Sequence, residues 1–105
     1  MGLLHTVNKS PFDSNTFDTC LGYAKDGSTV LLIEDGVYAA TTGTSAADKI
    51  QQAMQGGASG VTFAVLGPDL QARGLEGKLA DGIKVVDYEG FVNLAAECDS
   101  VQSWL

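Results

Sequence analysis

Residues 29–33, Thr-Val-Leu-Leu-Ile, form an apolar run that is closed at once by Glu34-Asp35-Gly36. A strand with one face in water alternates apolar and polar side chains. A strand covered on both faces reads instead as an unbroken aliphatic run. The second strand, placed at residues 30–34, therefore calls for helices on both sides of its sheet, and the rest of the chain supplies them. Residues 3–7, Leu-Leu-His-Thr-Val, read as a first strand. Residues 8–15 are a loop marked by Ser10-Pro11 and Asp13-Ser14-Asn15. A helix over 16–25 follows, opened by Asn15 and Asp18 in the manner of a capping box and stopped by Asp26-Gly27.

Beyond the second strand come a short helix over 36–43 and a helix over 46–55 ended by Gly56-Gly57. A third strand covers 61–66. Gly67-Pro68-Asp69 opens a short helix that Gly74 closes. Residues 77–82 are loop, 83–87 a fourth strand and 88–97 a terminal helix, followed by a tail holding Val101, Trp104 and Leu105. Strands alternating with helices predict an α/β fold in three layers. A mainly parallel central sheet is flanked by helices in a flavodoxin-like arrangement.

The length, 105 residues, suits a single domain over 1–105. Hydrophobic residues make up 45% of the chain, enough for a core that needs no disulfide or metal staple. The formal net charge is −7, from 13 acidic and 6 basic residues, with no cluster of Lys or Arg. A face that grips nucleic acid needs several cations to neutralise phosphates, so direct nucleic-acid binding is not expected. Anionic membrane surfaces are disfavoured for the same reason. No run of about 18 apolar residues offers a membrane span, and residues 1–13 lack the order of a signal peptide. These readings place the chain in the cytoplasm, where cysteines are usually thiols.

Cys20 is the first candidate for chemistry. At about 100° per residue, Phe17, Leu21 and Ala24 share an apolar stripe, and Cys20 falls roughly 60° to one side. That position predicts a thiol at the edge of the buried face, with partial access. The electrostatics favour it less. Cys20 lies past the first turn of its helix, where the dipole helps little, and no cation precedes it. On the residues alone a packing role is preferred over a reactive one. Cys98 sits between Glu97 and Asp99, a poor setting for a thiolate, and reads as structural. A Cys20–Cys98 disulfide cannot be argued from spacing.

His5 is the single histidine, and a packed or hydrogen-bonded role is the expectation for it. One histidine and two distant cysteines lack zinc-site spacing, so no metal is expected. Asp35 follows the second strand at the carboxyl end of the sheet, where ligands bind in such folds. An Asp-Gly pair is also common turn chemistry, and that reading is preferred. Residues 56–60, Gly-Gly-Ala-Ser-Gly, precede a strand and lack the phosphate-loop pattern, so they read as a turn.

HTVNKSPF, Cys20, LLIEDGVYAA, LGPDLQARG, VVDYEGFVNL and the closing Trp104-Leu105 together resemble the DsrH/TusB family. The resemblance covers essentially the whole chain, and its most specific pieces are fold and interface signatures. It implies a DsrE-like fold and a subunit of a cytoplasmic sulfur-relay complex. That complex is a heterohexamer with two copies each of this chain, a DsrE-like and a DsrF-like subunit. Such complexes pass persulfide sulfur to a small carrier, DsrC in sulfur oxidation. In the TusBCD branch the partners are TusC and TusD, the carrier is TusE, and the sulfur ends in tRNA 2-thiouridine. The main active cysteine belongs to the DsrE/TusD subunit. The DsrH branch carries a further cysteine in its first helix, and Cys20 matches it, which tilts the expectation toward sulfur oxidation. Cys20 is thus the candidate persulfide-carrying thiol, and thiol–persulfide exchange needs no cofactor. The alternative is a scaffold subunit that leaves chemistry to its partner and works through apolar surface near Trp104, Leu105 and the terminal helix. A nucleotide- or flavin-binding role lacks its phosphate-loop signature.

Overall fold

The computed structural model describes residues 3–24, 27–55, 60–98 and 100–104. Five strands form one sheet: β1 (Leu3–Val7), β2 (Thr29–Leu32), β3 (Thr62–Leu66), β4 (Lys84–Val86) and β5 (Ser100–Trp104). All neighbours run parallel, in the order β4-β3-β2-β1-β5. The chain steps from β1 outward to β4, one strand at a time. It then returns to add β5 on the free side of β1, pairing Leu3 with Ser100 and Val7 with Trp104.

The helices are α1 (Thr16–Tyr23), α2 (Ser45–Met54), α3 (Gly67–Ala72) and α4 (Tyr88–Glu97), with 3-10 turns at Glu34–Ala40 and Glu76–Lys78. Side chains alternate across a strand, and the core divides accordingly. Val7, Val30, Leu32, Phe63 and Val65 point to one face, where α1, α2 and α3 bring Phe17, Cys20, Ala46, Ala47, Ile50 and Leu70. Leu4, Leu31 and Ala64 point to the other face, where α4 brings Phe91, Leu94 and Ala95. The unbroken run in β2 is explained by this double cover: Val30, Leu31 and Leu32 are all buried. The α/β fold with a parallel sheet and helices on both faces is as expected.

Three local readings change. The tail forms β5, a full edge strand that the periodicity did not reveal. Asn15 has φ −91° and ψ 11°, near-helical rather than the extended geometry an N-cap needs, and its side chain makes no capping bond. Ser14 serves instead, its Oγ accepting the Thr16 N–H at 3.2 Å, and Asp18 turns outward to Lys49 at 2.7 Å. The helix then ends at Tyr23, because Ala24 is already extended. Working caps are Thr44 on α2, accepting from Ala47 N–H, and Asp87 on α4, accepting from Gly90 N–H. The stop at Gly56-Gly57 and the 56–60 turn fall largely outside the described residues.

Candidate functional site

Cys20 sits in the middle of α1's buried face. Its exposure is 0%, and with Phe17 it forms the inward centre of the helix. Leu21 and Ala24 are only partly buried and flank it. The expected edge position is therefore corrected. Helical spacing puts Phe17 between Leu21 and Ala24 in the apolar stripe, but the helix is rolled so that the Phe17–Cys20 ridge meets the sheet. Burial in this apolar setting pushes the thiol up to about 12, from an ordinary value of 9.0.

Cys98 caps the C-terminal end of α4 and packs, partly buried, beside Leu4, Leu31 and Ala64. It lies on the opposite face of the sheet from Cys20, so the sheet separates the two sulfurs. No disulfide joins them.

His5 is buried in β1 at 1% exposure. Its Nδ1 accepts a hydrogen bond from Trp104 Nε1–H at 3.0 Å. Its Nε2 is buried with no hydrogen-bond partner among the described residues. Burial lowers the imidazole below its ordinary 6.5, so the ring is neutral at physiological pH. Trp104 in turn lies against Tyr23 of α1, ring centroids 5.5 Å apart. The packed, hydrogen-bonded role expected for His5 is what the geometry gives; its partner in β5 was not foreseen.

The Asp35 turn is built more tightly than its sequence suggests. Glu34 adopts φ 48°, a left-handed conformation rare outside glycine. Its N–H donates to Asp69 Oδ2 at 2.7 Å. Asp35 Oδ1 accepts from Arg73 Nη2 at 2.8 Å and Nε at 3.0 Å, while Arg73 Nη1 donates to the Asp69 carbonyl at 3.1 Å. At Gly36 a Cβ would overlap the Val7 carbonyl, so only glycine fits. The IEDG and DLQAR segments thus meet at the carboxyl end of the sheet, with Asp35 holding α3 against the 3-10 turn. An open cleft of about 350 Å³ beside it is lined by Ser10, Phe12, Asp13, Asp35 and Tyr38. Among the described residues no three His, Cys, Asp or Glu side chains converge as metal ligands would. No helix among them is long and apolar enough to cross a membrane.

A five-stranded parallel sheet with one helix on one face and three on the other defines a fold class shared with solved proteins. The ychN protein from E. coli matches with a TM-score of 0.76 over 98% of both chains, at 15% identity. A protein of unknown function from Methanobacterium thermoautotrophicum matches with a TM-score of 0.70 over 96% of both, at 16% identity. The sequence is more specific than the fold. Residues 9–101 match the family model described as DsrH like protein. Protein TusB from Pectobacterium parmentieri is 34% identical over 102 residues, 97% of this chain and 100% of that one. Protein TusB from Escherichia coli K12 is 32% identical over the same length and shares. The chain belongs to the DsrH/TusB family.

Proposed function

We propose that this chain is a subunit of a cytoplasmic sulfur-relay complex of the DsrEFH type. It assembles there with DsrE-like and DsrF-like subunits, two copies of each, and leaves the main sulfur chemistry to the DsrE-like thiol. Family membership over nearly the full length supports the relay. The observation that carries the assembly role is the buried Cys20. In persulfide exchange a thiolate attacks the outer sulfur of the donor. The new S–S bond forms as the old one breaks, and the donor leaves as a thiolate. A thiol held at about 12 is ionised at neutral pH to roughly one part in 10⁵. A fully enclosed sulfur also offers a donor no line of attack.

Cys20 as a persulfide carrier is the competing assignment. Its place in the first helix supports it, but it requires α1 to open. A specific observation also favours a second branch. The relatives at 32–34% identity carry the name TusB. In that branch the partners are TusC- and TusD-like, and a TusE-like carrier takes sulfur toward tRNA. The acidic balance of −7 suits delivery to a carrier protein rather than to tRNA in either branch.

Intact-mass analysis after incubation with a persulfide donor tests this reading, for wild type and Cys20→Ser, with and without the partner subunits. The expected result is a gain of one sulfur on the DsrE-like subunit and none on this chain. A gain on this chain that disappears in Cys20→Ser overturns the assembly-only role. Transfer onward to a DsrC-like or a TusE-like carrier distinguishes the branches.

A further inference from the structure

Helix α1 lies over the seam between β1 and β5. It carries Cys20, turned fully inward, and Tyr23 three residues on, at the margin. Tyr23 rests against the Trp104 indole, and Trp104 donates its Nε1–H to His5 Nδ1. Because Nδ1 accepts, the proton of the neutral ring is on Nε2, which has no partner among the described residues. The one satisfied polar atom of this buried ring is therefore the one that holds Trp104.

Beyond its five-residue backbone ladder to β1, few side chains fasten β5. It is an edge strand paired only to β1, and Ser100 to Ser103 are all exposed. The one other long-range side-chain hydrogen bond from it among the described residues is Thr6 to Ser103, hydroxyl to hydroxyl at 3.3 Å on the α4 face. Exposed edge elements with few buried contacts open at lower free energy than the core. Trp104 is where β5 joins the core that contains Cys20.

We propose that the His5–Trp104–Tyr23 cluster is a latch closing the α1/β5 seam over Cys20, and that release of Trp104 is the route by which this thiol meets solvent or a reagent. The latch goes beyond the relay reading, since it concerns access to the thiol and holds whichever protein delivers or receives sulfur.

The test is peptide-resolved alkylation of Cys20 by iodoacetamide in the native full chain, beside hydrogen exchange of the β5 amides. Trp104→Phe keeps a ring against Tyr23 and removes only the N–H. Tyr23→Ala removes an exposed side chain and frees Trp104 from α1 without cutting into the core. Ile50→Val, in α2, destabilises the core away from the seam by a comparable amount. The latch predicts that Trp104→Phe accelerates both Cys20 alkylation and β5 exchange roughly five- to tenfold, as one lost hydrogen bond would. Tyr23→Ala accelerates both in the same direction, and Ile50→Val leaves both near wild type. If neither seam variant changes the alkylation rate, or if Ile50→Val raises it as much as they do, the thiol is reached only through whole-domain unfolding. The latch is then overturned. Because Tyr23 is exposed, its variant keeps the test decisive if Trp104→Phe fails to fold.

Discussion

His5 is a titratable side chain placed where charge is costly. Its folded-state value lies below the ordinary 6.5, so the unfolded chain binds the extra proton first. The His5 contribution to stability is then flat above pH 6.5 and falls as pH drops from 6.5 toward the depressed folded value, by at most about 1.4 kcal/mol per pH unit. Urea unfolding at pH 7.5 and 5.5 should show this loss, and His5→Asn should remove that part of it. An Asn carbonyl can still accept from Trp104 but does not titrate. Cys20 behaves oppositely. Its folded value is raised, so stability declines as pH climbs from 9.0 toward about 12, and Cys20→Ala flattens that limb. Cys20→Ser places a hydroxyl in an apolar site and should cost about 1–3 kcal/mol by denaturant titration. Which residues of α1 are apolar was legible in the sequence; which of them faces inward was not. Leu21 and Cys20 lie on either side of Phe17, and only the seating of α1 on β1 and β5 chooses between them.

Among the elements, the 3-10 turn after β2 is the most constrained. Gly36→Ala drives a methyl into the Val7 carbonyl, where backbone must move, and should destabilise by about 3 kcal/mol or prevent folding. Cutting the neighbouring ion pair is milder. Asp35 is more than half exposed, and Asp35→Asn should cost only about 0.5 kcal/mol. Thermal unfolding of the two variants side by side checks the contrast. Strands β1 to β3 could be read because aliphatic runs sit between turn signals. The capping box could not, because Ser14 competes with Asn15 for the same helix start. β5 escaped because Ser-Val-Gln-Ser-Trp is exposed and polar at alternate places, and its partner strand is at the far end of the chain. The Asp35–Arg73 and Asp69–Glu34 contacts lay in motifs that stood out individually, but nothing local joins residues 34–36 to 69–73.

Over the whole molecule the two faces of the sheet are covered unequally. Among the described residues three helices shield one, while α4 alone crosses the other without a single fully buried residue. Tyr88 and Val92, one turn apart on α4, and Val101 of β5 are exposed large hydrophobics. Val92→Glu should leave the stability of the isolated chain within about 0.5 kcal/mol of wild type. It should reduce co-purification with DsrE-like and DsrF-like subunits if this face is where they dock. Unchanged recovery of the complex would move the interface elsewhere.

The pairing of β1 with β5 also sets a timetable. Thr6 and Ser103 stand 97 residues apart, and His5 and Trp104 stand 99 apart. At ribosomal speeds of about 5–20 residues per second, the first strand waits roughly 5–20 s for the neighbour that completes its edge. Throughout synthesis that edge offers unpaired backbone groups to any passing strand. Shielding β1 until β5 has emerged would therefore protect this protein during synthesis.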